Sequence, residues 1–257
     1  MNLHHEIAGE GPHVALLHPV GLDLTFLRPI AKIMSRRYRV MSIDLRGHGK
    51  SPVAPPAQGF DDNVDDVHET LHRAGFASAA IVGFSFGGMI VQELALKYPN
   101  DVTALALCAC PSTLSAEGRK ISAQRGSDAE AGGMQAILDA TLKRWFTDDF
   151  RARGGAERSR QRLITDNVSG WAHAWYAIST LDALPRLGAI EAPTICVAGE
   201  VDLSSPPAIV KAIATAIPGA RYVELPGAPH MIFIEQTEET ANVILSFLDE
   251  VIGKKAG

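Results

Sequence analysis

Ser85 stands in the run Gly83-Phe84-Ser85-Phe86-Gly87-Gly88, between a short apolar stretch, Ala79–Phe84, and a segment of helical period, Gly87–Lys97. A G-x-S-x-G sequence in that context makes a sharp strand-to-helix turn that holds the serine strained and pushes its hydroxyl clear of the sheet. The Phe86 N–H and the positive end of the helix then face an oxyanion forming on any carbonyl the serine attacks. A serine hydroxyl is a weak nucleophile unless a histidine takes its proton and a carboxylate orients that histidine. Both partners are expected downstream, in the order Ser, Asp or Glu, His. Asp202 follows the apolar run Thr194–Ala198, and His230 follows Arg221–Leu225 in Pro226-Gly227-Ala228-Pro229-His230. Glu200 competes with Asp202 for the acid role; Asp202 is preferred because it lies deeper in the loop, just ahead of Pro206-Pro207. The segment 108–113, from which an acid could also reach the histidine, contains no carboxylate. A second oxyanion donor belongs to the loop His18-Pro19-Val20-Gly21, where Pro19 has no N–H and Val20 is the first donor after His18. His18 itself is expected to brace this loop.

These side chains need a scaffold that brings distant loops to one edge. Apolar runs at His13–Leu17, Arg39–Ile43, Ala79–Phe84, Val102–Cys108, Thr194–Ala198 and Arg221–Leu225 alternate with helical segments at Thr25–Met34, Asp61–Ala74, Gly87–Lys97, Pro206–Ile217 and Thr237–Val251. That alternation predicts an α/β fold, a mainly parallel sheet flanked by helices, with Leu3–Ala8 as an antiparallel edge. In such sheets ligands bind outside the C-terminal strand ends, where Ser85, Asp202 and His230 all fall. The rhythm breaks between 112 and 189, where no strand is visible and Gly132–Phe146 and Arg158–Thr180 read as helical. The division is a core of residues 1–111 and 190–257 with a helical lid, 112–189, inserted. The lid contains Trp145, Trp171 and Trp175 and eleven Lys and Arg against nine Asp and Glu, in a chain of net charge −5. A weakly positive aromatic lid over an acidic core suits small anionic or amphipathic ligands, unless its aromatics serve only to pack it down.

Composition narrows the alternatives. A length of 257 residues suits one large domain, and no apolar run approaches the ~18 residues of a membrane span. The acidic balance offers no basic surface for nucleic acid. No secretory leader is evident at the start, so a cytoplasmic location is expected. Cys108, Cys110 and Cys196 are expected as buried thiols. His68-Glu69-Thr70-Leu71-His72 matches the H-E-x-x-H zinc pattern, with Glu93 as a conceivable third ligand. Val64, Val67 and Leu71 form that helix's apolar stripe with the histidines at its margin, and a zinc enzyme would have to discard the Ser85 arrangement, so no metal is expected. Gly49-Lys50-Ser51 lacks the first glycine of a phosphate loop, position 44 being Asp. The run Arg151 to Arg162 reads as solvated surface, although one of Arg144, Arg151 or Arg153 could face inward and bind a substrate carboxylate.

The combined residues resemble the α/β-hydrolase superfamily, and over nearly the full length they resemble its 3-oxoadipate enol-lactonase branch. The resembling segments are Ile43-Asp44-Leu45-Arg46-Gly47-His48-Gly49-Lys50-Ser51, the Ser85 turn, Arg144-Trp145-Phe146, the Asp202 loop, and His230 with Glu235. The resemblance implies a Ser-Asp-His triad that opens an enol-lactone with no cofactor, with Trp145 lining the substrate cavity. It departs at His-Pro-Val-Gly, where those lactonases show a Ser-Leu-Gly type loop, and at Phe86 in place of methionine. The expected activity is hydrolysis of a small carboxylic ester or lactone through an acyl-enzyme. The same triad could serve perhydrolysis or carbon–carbon bond hydrolysis, and the fold could also serve as a small-ligand receptor without turnover.

Overall fold

A computed structural model describes residues 1–53 and 59–253. Seven strands, β1 (His5–Ala8), β2 (His13–Leu17), β3 (Arg39–Ile43), β4 (Ala79–Phe84), β5 (Val102–Cys108), β6 (Thr194–Gly199) and β7 (Arg221–Leu225), form one sheet in the order β1-β3-β2-β4-β5-β6-β7. Only β1 is antiparallel, paired to β3 at the edge. The central strands carry apolar residues on both faces because helices cover both; every residue of β4 and β6 is buried. The core helices are α1 (Arg28–Met34), α2 (Asp61–Arg73) and α3 (Phe86–Lys97).

Between β5 and β6 the chain runs through four helices, α4 (Ala116–Trp145), α5 (Asp148–Ala152), α6 (Glu157–Ile164) and α7 (Val168–Ser179). After β6 come α8 (Pro207–Ala216), a short α9 (Ile232–Glu235) and α10 (Thr237–Gly253). The parallel register sets the site: Leu17 pairs with Gly83, Phe84 with Cys108, Cys108 with Val197, and Gly199 with Leu225. The strands therefore end level, and the loops holding Val20, Ser85, Asp202 and His230 leave the same edge.

Three helical expectations change. Thr25–Met34 is a 3-10 turn, Leu24–Phe26, followed by α1, because Pro29 suits only the first turn of a helix and Asp23 caps the 3-10 turn instead. Arg158–Thr180 divides into α6 and α7, since the Asn167 side chain accepts the Gly170 N–H at 2.9 Å and starts a new helix. Helix α4 starts at Ala116, well before Gly132, and bends at Gly133, whose φ of +68° interrupts the helical backbone. The three cysteines are free and buried as expected, and burial pushes the Cys196 thiol up to about 12. Among the described residues no helix is long and apolar enough to cross a membrane.

Candidate active site

Ser85 joins β4 to α3 with φ +51° and ψ −113°, a conformation that costs a non-glycine residue of order 1–3 kcal/mol. The turn closes only because its flanks lack side chains. A Cβ on Gly83 would lie 2.6 Å from the Gly87 backbone, and one on Gly87 would lie 2.5 Å from the Leu17 carbonyl oxygen. The strained backbone is held from both sides, by Ser85 N–H donating to the Cys108 carbonyl at 2.9 Å and by the Ser85 carbonyl accepting from Met89 at 3.0 Å.

The structure brings the three predicted side chains together. His230 Nε2 lies 2.9 Å from Ser85 Oγ, and His230 Nδ1 lies 2.8 Å from Asp202 Oδ2. All three residues are buried. The second Asp202 oxygen accepts the backbone N–H groups of Ser204 and Ser205 at 2.6 and 2.9 Å, so the carboxylate is anchored on one side and faces the imidazole on the other. A carboxylate only accepts, which fixes the proton on Nδ1 and leaves the Nε2 lone pair free for the serine hydroxyl proton. Glu200 is engaged elsewhere: its carboxylate accepts the Gly227 N–H at 2.7 Å on the surface.

Phe86 is the first residue of α3, where N–H groups have no partner within the helix, and its ring is buried away from the opening against His48 and Phe60. Val20 lines the cavity that contains Ser85 and His230. His18 braces the Val20 loop as expected. It donates Nδ1–H to the Pro19 carbonyl at 2.7 Å and accepts the Leu45 N–H on Nε2 at 2.9 Å. Burial, followed by the charge of His48, pushes its pKa down to about 4, so it is neutral near pH 7.

The cavity over Ser85 has a volume of about 230 Å³. Trp145 and Arg144 line it, as do Trp175, another of the three tryptophans of the helical segment, and Met89 and Arg125, which the sequence reading did not single out. Trp171 instead packs against the Val20 loop: a Cβ on Gly21 would lie 2.6 Å from its ring. Arg151 and Arg153 do not reach the opening and pair locally with Asp148 and Asp149. Arg162, expected on the surface, is half-buried and bridges Asp23 and Asp166, fastening α6 to the core.

The larger concavity beside β1, lined by His4, Asp44 and Arg162, contains none of the Ser85, Asp202 and His230 side chains. Its Gly49-Lys50-Ser51 turn wraps around Asp44, which accepts the Lys50 N–H at 2.9 Å and the Leu24 N–H at 2.7 Å, a structural duty and not a phosphate cradle. The H-E-x-x-H histidines do meet a carboxylate, but that carboxylate is Asp101. Its Oδ2 lies 2.8 Å from Nε2 of both His68 and His72, and the three could ligate a cation. Glu93 is paired with Arg186 instead. Asp101 precedes β5, at the opposite end of the sheet from Ser85.

The model of the alpha/beta hydrolase fold family matches residues 19–237, which include every side chain of this constellation. The chain belongs to that family. A crystallised enol-lactonase from Burkholderia xenovorans LB400 superposes on this hydrolase with a TM-score of 0.91, at 30% identity and 96% coverage of both chains. Pimeloyl-[acyl-carrier protein] methyl ester esterase of Chromobacterium violaceum is 29% identical over 97% of this chain and 99% of its own. The polyketide synthase ThaQ of Burkholderia thailandensis is 32% identical over 95% of this chain, which spans only 12% of that synthase. The sequence resemblance to α/β-hydrolases, enol-lactonases among them, is thereby established.

Proposed function

We propose that this hydrolase cleaves a small carboxylic ester or lactone through an acyl-enzyme on Ser85. The observation that carries the reading is the continuous hydrogen-bonded chain from Ser85 Oγ through His230 to Asp202, set on a strained turn at the base of a cavity. As Ser85 Oγ attacks the carbonyl carbon, its proton passes to His230 Nε2, and Asp202 stabilises the imidazolium that forms. The N–H groups of Phe86 and Val20 hold the oxyanion; in related chemistry each such donor is worth roughly 3 kcal/mol. Collapse of the tetrahedral intermediate expels the alcohol oxygen, which takes the proton from His230. In a lactone that oxygen stays attached to the acyl chain. Water then repeats the sequence, with His230 as base, and frees Ser85. Trp145 supplies the apolar wall against which the substrate carbon frame rests. Relatives named as an enol-lactonase and a methyl ester esterase support the same bond class.

A fluorophosphonate probe is expected to label Ser85 stoichiometrically and abolish hydrolysis of p-nitrophenyl acetate. Turnover of that ester at the wild-type rate by Ser85→Ala would end the reading.

A further inference from the structure

His68 and His72 stand one turn apart on α2 and present their Nε2 atoms to the same oxygen, Asp101 Oδ2, at 2.8 Å each. Asp101 ends a 3-10 turn, Pro99–Asp101, that leads into β5, so the donors come from two elements separated in the chain by β4 and α3. Their ligand atoms all lie within 4.8 Å of one another, and among the described residues no other three His, Cys, Asp or Glu side chains converge this way. A zinc ion takes imidazole nitrogen and carboxylate oxygen at roughly 2.0–2.2 Å, which sets tetrahedral donors about 3.3–3.6 Å apart. To admit one, the Asp101 oxygen has only to draw back by less than about 1 Å. Its side chain is 29% exposed and can turn toward solvent.

The imidazoles are held in place. The His68 ring stacks on Tyr98 with centroids 3.6 Å apart and planes 11° from parallel, and the Tyr98 hydroxyl donates to Asp65 at 2.8 Å. His72 packs on His68 with centroids 4.3 Å apart. The neighbouring cations are neutralised, Lys97 by Asp65 and Arg73 by Glu69. His72 is exposed, so an ion reaches the cluster from solvent and keeps water in its remaining positions. Glu69, which would be the general base of an H-E-x-x-H enzyme, is bound to Arg73 and to the N-terminal amine.

We propose that His68, His72 and Asp101 form a binding site for a divalent transition-metal ion of the zinc class, which fastens α2 to the turn ahead of β5 and stabilises the fold without entering ester hydrolysis. Two imidazoles and one carboxylate suit zinc, whereas magnesium and calcium take oxygen donors. An ion that binds the folded chain and not the unfolded one stabilises the fold by mass action. The site stands whatever reaction Ser85 performs.

The test uses tag-free protein stripped of metal with EDTA and returned to chelator-free buffer. Zinc chloride, titrated in competition with a chromophoric chelator, should fill one site per chain with a micromolar Kd. With free zinc about tenfold above that Kd, Tm should rise by about 3 °C or more. His72→Gln and Asp101→Asn should each weaken binding about tenfold or more and lose the shift, with hydrolysis of p-nitrophenyl acetate unchanged. Glu93→Gln should bind zinc as the wild type does. X-ray absorption on the wild type, which depends on no variant folding, should show two imidazole nitrogens around the bound zinc. No micromolar binding, a zinc shell without two imidazoles, or an affinity that Asp101→Asn and His72→Gln leave unchanged would overturn the site. Zinc held by the three with no rise in Tm, or a hydrolysis rate that follows its occupancy, would overturn the fastening role.

Discussion

Met231 donates its backbone N–H to the carbonyl of Trp145 at 3.1 Å, so the residue after His230 is tied to the last residue of α4. The helical segment therefore does more than roof the cavity: it holds the loop that carries the imidazole. Two residues further along, Thr147 repeats the tie. Its N–H donates to Glu235 Oε2 at 3.3 Å and its hydroxyl donates to Oε1, while the same hydroxyl accepts from Phe150 and caps α5 at 3.2 Å.

Thr147→Val removes both hydroxyl bonds and leaves the half-buried Glu235 carboxylate short of a donor. The expected cost is about 2 kcal/mol, a Tm lower by roughly 4–8 °C for a chain of this size. Because the His230 loop loses a restraint, kcat for p-nitrophenyl acetate should fall with it. Calorimetric melting and steady-state kinetics check the pair, and an unchanged Tm would show that the Glu235 tie is not part of the fold's stability.

Asp202 and Glu200 lie two residues apart yet face different partners, the imidazole in one case and the Gly227 N–H in the other. Asp202→Asn is expected to lower kcat about 10⁴-fold, the size of the effect when a triad aspartate elsewhere loses its charge and the imidazole tautomer is wrong. The amide nitrogen would also face the Ser204 and Ser205 N–H groups if it took the anchored position. Glu200→Gln should stay within about twofold of wild type. Rates that reverse this order would assign the acid to Glu200.

How much of this was legible follows from how local each signal is. The sheet was readable because β2 to β6 are buried on both faces and their apolar runs are bounded by polar or Gly and Pro residues. The Ser85 turn was readable because steric exclusion at Gly83 and Gly87 is written in residue type. The first half of α4 was hidden, since Gly118, Gly126, Gly132 and Gly133 argue against a helix. Gly126 is there for packing, a Cβ on it coming within 2.8 Å of the Tyr176 ring. Arg125 was lost with that helix. Nothing adjacent in sequence shows that it lacks an acid among the described residues, whereas Arg151 and Arg153 have theirs three and four positions away. The H-E-x-x-H pattern was legible as a shared helix face, but its carboxylate, Asp101, comes from another element 29 residues beyond His72.

That cluster lies at the far end of the strands from Ser85, and β5 alone, seven residues at ~3.3 Å each, separates the two by roughly 20 Å. Prolonged dialysis against EDTA should leave ester hydrolysis within experimental error of the untreated protein, and His72→Ala should do the same while lowering Tm by a few degrees at most. A chelator-sensitive rate, restored by zinc, would return the H-E-x-x-H pattern to the chemistry.

His18 provides a pH test of the loop that positions Val20. In the fold its Nε2 lone pair is occupied by the Leu45 N–H and its Nδ1–H by the Pro19 carbonyl, and protonation would have to expel the first of these in a fully buried place. The folded-state pKa is accordingly about 4, against 6.5 for the free side chain. Above pH 6.5 both folded and unfolded chains hold the ring neutral, and its contribution to stability is complete. As pH falls from 6.5 toward 4 the unfolded chain binds a proton that the folded chain refuses, so stability drops by up to about 3 kcal/mol. Urea midpoints measured between pH 7 and pH 4 should show this decline, and His18→Asn, although less stable at neutral pH, should show a shallower one. Asp166, whose carboxyl burial pushes up, titrates in both proteins and cancels from the difference between the two curves. Parallel curves for wild type and variant would mean that the imidazole is not held neutral, and the bracing assigned to His18 would fail with it.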